Sequence, residues 1–255
     1  MSDTSSGGAG GSGVKVALVT GGASGIGRAT CARLRDDGFE LAVCDLDEAG
    51  AAESAGPKGL AAAVDVVDAD AVDAFVAAAI ERFGRVDVLV NNAGITGNQQ
   101  STVLHTTPID QWDRVIAVNV RGPYLLARAV LPRMIEQGGG HVITIASVAG
   151  QVAFPGRSAY TTSKGAALMM AKSIAVDYAA HGIRSNAVCP GMALTNMTRW
   201  RLDRPELRAE QEARIPLGRV AQPDDIADLV SLLASDRLSY LTGAALVIDG
   251  GYTAL

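Results

Sequence analysis

The 255-residue chain is short of several residue types, and each shortage removes a class of protein. Its three cysteines, Cys31, Cys44 and Cys189, are scattered and odd in number, which fits reduced, buried thiols in cytosol rather than a disulfide framework. Three histidines, His105, His141 and His181, lie too far apart to suggest a metal site. No apolar run reaches the length of a membrane span, and the opening MSDTSSGGAGGSG lacks the basic flank and apolar core of a secretory signal. Positive charge is not in excess: 22 Lys and Arg stand against 27 Asp and Glu, a net charge of −5, which argues against a nucleic-acid or anionic-membrane partner. Aromatics make up only 4%.

What the chain does have is 48% hydrophobic residues and 29 glycines, a balance suited to close packing of helices on a sheet. Residues 1–13 are expected to be a flexible Gly/Ser-rich tail and residues 14–255 one domain. From Val14 onward, short apolar runs alternate with helical stretches. The runs are Val14–Thr20, Phe39–Asp45, Leu60–Val66, Val86–Gly94, His141–Ser147, Ile183–Gly191 and Ala244–Asp249. Between them come helical segments after Gly27, at Asp68–Phe83, Thr107–Met134, Ser158–His181 and Asp224–Ser235, with a short acidic one after Asp45. Seven buried-type strands alternating with helices predict an α/β domain of the Rossmann type, a doubly wound parallel sheet with helices on both faces.

Two segments carry chemistry. The first is Thr20-Gly21-Gly22-Ala23-Ser24-Gly25-Ile26-Gly27, between the first run and the first helix. Glycines there allow a tight turn and let backbone N–H groups approach a pyrophosphate, which the helix N-terminus also favours. Asp45 closes the second run; a carboxylate at that place accepts from ribose hydroxyls and repels a 2′-phosphate, so NAD is expected over NADP. No basic residue stands at Ser24 or Leu46 to reverse that preference.

The second segment is SVAGQVAFPGRSAYTTSK, Ser147 to Lys164. Residues four apart share a helix face, so Tyr160 and Lys164 project side by side if a helix begins near Ser158. An ammonium about 4–5 Å from the phenol at an effective dielectric of ~20 favours phenolate by roughly 3–4 kcal/mol, two to three pK units, which would make tyrosine useful near neutral pH. Ser147 could then hold a substrate oxygen beside it.

With these motifs the chain from about Val14 to Tyr252 resembles the single-domain short-chain dehydrogenases/reductases. TGGASGIG is similar to that family's glycine motif, and Asn91-Asn92-Ala93-Gly94 to its NNAG. Asn119, Ser147, Tyr160 and Lys164 fall where its catalytic tetrad falls, and Pro190-Gly191 with Thr195 resembles its PGxxxT. The resemblance implies that Gly21, Ser24, Gly25, Ile26 and Gly27 line the diphosphate, and that Asp45 and Leu46 hold the adenosine ribose. It places Asp65 and Val66 beside adenine, Ala93 and Gly94 against the cofactor, and Pro190, Gly191 and Thr195 at the nicotinamide end. Asn91 stays open between a contact and a structural role, and Thr195 between a contact and a helix cap. Tyr160 is the implied acid/base and Ser147 polarises the substrate oxygen. Lys164 binds the nicotinamide ribose and lowers the phenol pKa, while Asn119 holds a water linking Lys164 to solvent.

The implied reaction is hydride transfer between a small secondary alcohol or ketone and NAD. A 3-oxoacyl-carrier-protein reductase, normally NADPH-dependent, is the alternative within the family, and a catalytically silent NAD-binding sensor or scaffold the alternative outside it. Residues 192–222 are expected to form a mobile substrate loop; Met192, Met197, Trp200 and Leu202 either give it an apolar inner side or fill ordinary core, and Gln151, Val152 and Phe154 are further pocket candidates. Arg199, Arg201, Arg204, Arg208 and Arg214, interleaved with Glu206, Glu210 and Glu212, read as a solvated helix face. Gly165, Ala166, Ala167 and Ala171 either meet a second subunit or face the chain's own sheet; a cytoplasmic homotetramer is the family's usual state.

Overall fold

The computed structural model describes residues 13–97 and 102–254. The expected tail lies, except for Gly13, outside the described residues. Seven strands form one sheet: β1 (Val16–Thr20), β2 (Glu40–Asp45), β3 (Leu60–Ala63), β4 (Val88–Asn91), β5 (Gly140–Ile145), β6 (Ile183–Pro190) and β7 (Ala245–Ile248). All neighbours pair in parallel, in the order β3-β2-β1-β4-β5-β6-β7. The order reverses between β1 and β4, and such a switch point opens a crevice at the strand C-termini.

The helices are α1 (Gly25–Asp36), α2 (Glu48–Ala55), α3 (Ala69–Phe83), α4 (Ile109–Ile116), α5 (Gly122–Glu136), α6 (Ser158–Tyr178), α7 (Asn196–Leu202), α8 (Pro205–Glu212) and α9 (Pro223–Ala234). One face of the sheet, with Leu18, Leu89 and Val142, packs on α3 and α5 through Phe75, Val130 and Met134. The other, with Val19, Val90, Ile143 and Ile145, packs on α1 and α9 through Leu34, Ile226 and Leu233. Strand residues buried on both faces explain why the runs are continuous rather than alternating.

Two expectations change. The stretch expected as one helix from Thr107 to Met134 is two helices joined by a π-helical turn, Ala117–Arg121. The segment 192–222 is not a plain loop but carries α7 and α8. Leu202, Ile215 and Val220 form a small core of their own there, joined by Met192, Leu194 and Tyr252.

Candidate active site

Six strand ends and four helices converge on a groove of about 340 Å³. Its floor begins at the loop after β1. Gly21 (φ 65°) and Gly25 (φ 54°) take left-handed conformations that the turn requires. A Cβ on Gly27 would lie 2.1 Å from the Gly21 carbonyl oxygen, so that glycine serves helix–loop packing rather than the groove wall. The Gly21 amide donates to the Cys44 carbonyl at 2.8 Å, which ties the loop to β2.

At the end of β2 the Asp45 carboxylate accepts from the Ala23 amide (3.0 Å) and the Asp47 amide (3.2 Å). It is held at the groove wall beside Leu46, Asp65 and Val66. Among the described residues lining the groove, only Arg114 and Lys164 are cationic.

Beyond β4, Ala93 and Gly94 line the groove whereas Asn91 does not. Asn91 is 3% exposed and its side-chain atoms have no partner among the described residues. The functional position that sequence reasoning overlooked is Asn92. Its side-chain amide donates to the carbonyls of Thr20 (3.0 Å) and Gly21 (2.9 Å), clamping the end of β4 to the glycine loop. Its place beside Asn91 in the NNAG motif was the available signal.

The half with the expected catalytic residues is built on β5, α6 and the π turn. Ser147 follows β5; its Oγ accepts from the Ala149 amide at 3.1 Å, and its hydroxyl pulls the Tyr160 phenol pKa down. Tyr160 and Lys164 lie on the first turns of α6, with Lys164 Nζ 5.7 Å from the Tyr160 ring centroid. Lys164 is buried and donates to the Ile145 carbonyl at 2.8 Å. Burial pushes its amine down to about 8. The phenol behaves differently from the expectation. Desolvation raises its pKa in the chain alone, against the opposing pulls of the Ser147 hydroxyl and the Arg157 guanidinium. Lys164 directs its ammonium at a carbonyl and is itself desolvated, so its pull on the phenol does not outweigh burial.

Asn119 does not line the groove. It sits in the π turn, 2% exposed, where its Oδ1 accepts from the Ile95 amide (2.8 Å) and its Nδ2 donates to the Ile95 carbonyl (2.8 Å) and to Ser163 Oγ (2.9 Å). Both side-chain hydrogens are therefore committed within the protein, which leaves the amide no donor for the expected water.

Pro190 and Gly191 end β6 in the groove wall, and a Cβ on Gly191 would press on Asp249 at 2.8 Å. Thr195 caps α7 in a box with Thr198 and also lines the groove. Of the substrate candidates, Met197 lines the groove while Met192 and Leu202 belong to the small core. Trp200 lies under Arg157, whose Cζ is 6.0 Å from its ring centroid, and Phe154 stacks on Tyr252 with centroids 5.9 Å apart. Arg201, Arg208 and Arg214 pair with Glu210 and Glu212, as a solvated face requires. Ala167 and Ala171 face the sheet beside Ala146, Ala187 and Cys189.

Comparison with known proteins agrees with this arrangement. Residues 21–253 match the family model described as enoyl-(acyl carrier protein) reductase. The chain is 54% identical to a 2-(R)-hydroxypropyl-CoM dehydrogenase of Xanthobacter autotrophicus (strain ATCC BAA-1158 / Py2), over 94% of this chain and 99% of that protein. It is 37% identical to a 3-oxoacyl-(acyl-carrier-protein) reductase of Staphylococcus aureus (strain Mu50 / ATCC 700699), over 93% and 97% of the two chains. The ligand-free structure of an aldohexose dehydrogenase from Thermoplasma acidophilum superimposes with a TM-score of 0.87 at 32% identity, covering 95% of each chain. With its parallel seven-stranded sheet, glycine loop and near-full-length relatives, the chain belongs to the short-chain dehydrogenase/reductase family of nicotinamide-dependent oxidoreductases.

Proposed function

We propose that this chain is an NAD-dependent dehydrogenase of secondary alcohols in which Tyr160 is the proton acceptor. The observation that carries the reading is one groove with Asp45 at one end and the Ser147–Tyr160–Lys164 cluster at the other. The groove also fits the cofactor sterically, because Gly21 and Gly25 present backbone without Cβ where a pyrophosphate must approach. NAD supplies, when bound, the acceptor for the hydride that leaves the carbinol carbon.

The chain's own residues do the rest. Ser147 holds the alcohol oxygen within reach of the phenol. Tyr160 Oη, once its own proton has been lost to solvent, takes the hydroxyl proton as the C–H bond breaks, so the alcohol becomes a ketone. Lys164 places a positive charge near that oxygen, opposing the desolvation that keeps the phenol protonated. Asp45, already held by two backbone amides, offers its remaining lone pairs to ribose hydroxyls and sets a negative charge against a 2′-phosphate. The 54% identity to the relative named for 2-(R)-hydroxypropyl-CoM makes the enantiomers of that compound the first alcohols to try. A cytoplasmic homotetramer belongs to the same reading, supported by the exposed Met169 and Val176 on the outer face of α6.

The test is a fluorescence titration with NADH and NADPH, followed by turnover on a panel of secondary alcohols and ketones, with Tyr160→Phe as control. Tighter binding of NADPH sinks the NAD assignment, and near-wild-type kcat in Tyr160→Phe sinks the role of the tyrosine. Binding without turnover on any substrate favours a sensor instead.

A further inference from the structure

Ser163 sits within α6, one residue before Lys164, and is completely buried. Serine is a poor choice for a helix interior unless its hydroxyl is used. Here it is used twice: Oγ donates to the Tyr160 carbonyl at 2.7 Å and accepts from Asn119 Nδ2 at 2.9 Å. A hydroxyl has one hydrogen, so the direction is determined: amide of Asn119 to hydroxyl of Ser163 to carbonyl of Tyr160. That chain joins the first turn of α6 to the π turn and, through the paired Ile95 contacts of Asn119, to the segment that follows β4. A single π turn inside a helix is uncommon and recurs at functional sites. Here it places Asn119 where it meets Ile95 and Ser163 together.

We propose that Ser163 is a positioning residue for Tyr160, fixing the turn of α6 that carries the phenol against Asn119 so that the phenol stays on Ser147. The assignment rests on the reading of Tyr160 as acid/base. Without the hydroxyl, Asn119 Nδ2 loses a buried acceptor and the Tyr160 carbonyl loses its second donor. The turn then moves relative to Ser147.

Two measurements on the full chain test this. In Ser163→Ala, kcat for alcohol oxidation at saturating NAD should fall about tenfold or more, as expected for a misplaced catalytic group. The kcat–pH limb should move to higher pH, because the phenol loses the hydroxyl of Ser147 that lowers its pKa. Affinity for NADH should change by less than about threefold, since Ser163 does not touch the groove. Independently of turnover, carbon-13-labelled tyrosine gives a Tyr160 ring signal, assigned by Tyr160→Phe. Ser147→Ala and Ser163→Ala should displace it in the same direction. If Ser163→Ala does not melt cooperatively, Ser163→Cys, similar in size but a weak hydrogen-bonder, takes its place with the same expectations. A folded variant whose ring signal and pH limb match wild type overturns the proposal, even if it is less stable. A wild-type chain that oxidises no secondary alcohol defeats the underlying reading of Tyr160, while the ring signal still decides whether Ser163 positions it.

Discussion

Replacing Lys164 with methionine separates its two expected jobs, because one acts on the phenol and the other on the cofactor ribose. The ammonium lies 5.7 Å from the Tyr160 ring centroid. At an effective dielectric of ~20 that separation is worth about 3 kcal/mol in favour of phenolate, or about two pK units. Since burial already raises the phenol, Lys164→Met should move the rising limb of kcat for alcohol oxidation about two pH units upward. At a pH below the wild-type limb, kcat at saturating NAD should then fall about a hundredfold. The cationic nicotinamide acts on both proteins alike and cancels in the comparison. Because Lys164 loses its own proton near 8, its ammonium acts on the phenol only below that pH, and the comparison of variant with wild type is made there. The assay is the pH dependence of kcat and KM for NAD, taken separately. A variant with a raised KM but an unmoved limb would show that Lys164 acts only by holding the ribose.

Three other perturbations follow from single contacts. Asp45→Ser removes a carboxylate from the groove wall, so KM for NADP should drop by at least about tenfold while KM for NAD rises; unchanged ratios would mean the carboxylate does not face the ribose. Gly27→Ala drives a methyl into the Gly21 carbonyl oxygen at 2.1 Å, and overpacking should cost about 1–3 kcal/mol in a urea titration and weaken NADH binding; a variant with wild-type midpoint and affinity would contradict the packing role. His141 is buried between the Leu233 carbonyl (2.9 Å from Nδ1) and the Asn186 amide (2.9 Å from Nε2), so Nδ1 donates, Nε2 accepts and the ring must be neutral. Burial, with Arg184 nearby, holds its pKa at about 3. Because the folded value lies below the unfolded one, its contribution to stability is complete above pH ~6.5 and is lost as pH falls toward 3, about 2 kcal/mol by pH 5. His141→Gln should flatten the fall in urea midpoint between pH 7 and pH 5; an equal slope in both proteins would place the proton elsewhere.

Much of this architecture is legible along the chain because it is written in local terms. Continuous Val, Leu, Ile and Ala runs mark strands buried on both faces, and the alternation with helices dictates a parallel sheet. The glycine loop and the Tyr160–Lys164 spacing are equally local, being statements about turns and helix periodicity. Fold and loop could therefore be anticipated, although five of the seven strands end one to three residues before their apolar runs.

Through-space relations were not legible. The π turn at Asn119 breaks a helix whose periodicity continues past it, since the bulge answers to partners at Ile95 and Ser163 that lie 24 and 44 residues away. Asn92 reads as a duplicate of Asn91 until β4 is laid beside β1 and its amide reaches Thr20 and Gly21. Leu202 and Met197, alike along the chain, part company because α7 turns one into a small core and the other into the groove. The phenol is the clearest case: helix spacing puts an ammonium beside Tyr160, yet burial of both groups, which only the packed sheet and helices impose, raises the phenol and lowers the amine. Spacing along a helix sets which side chains are neighbours, whereas the surrounding packing sets how much water they keep and hence which of them holds the proton.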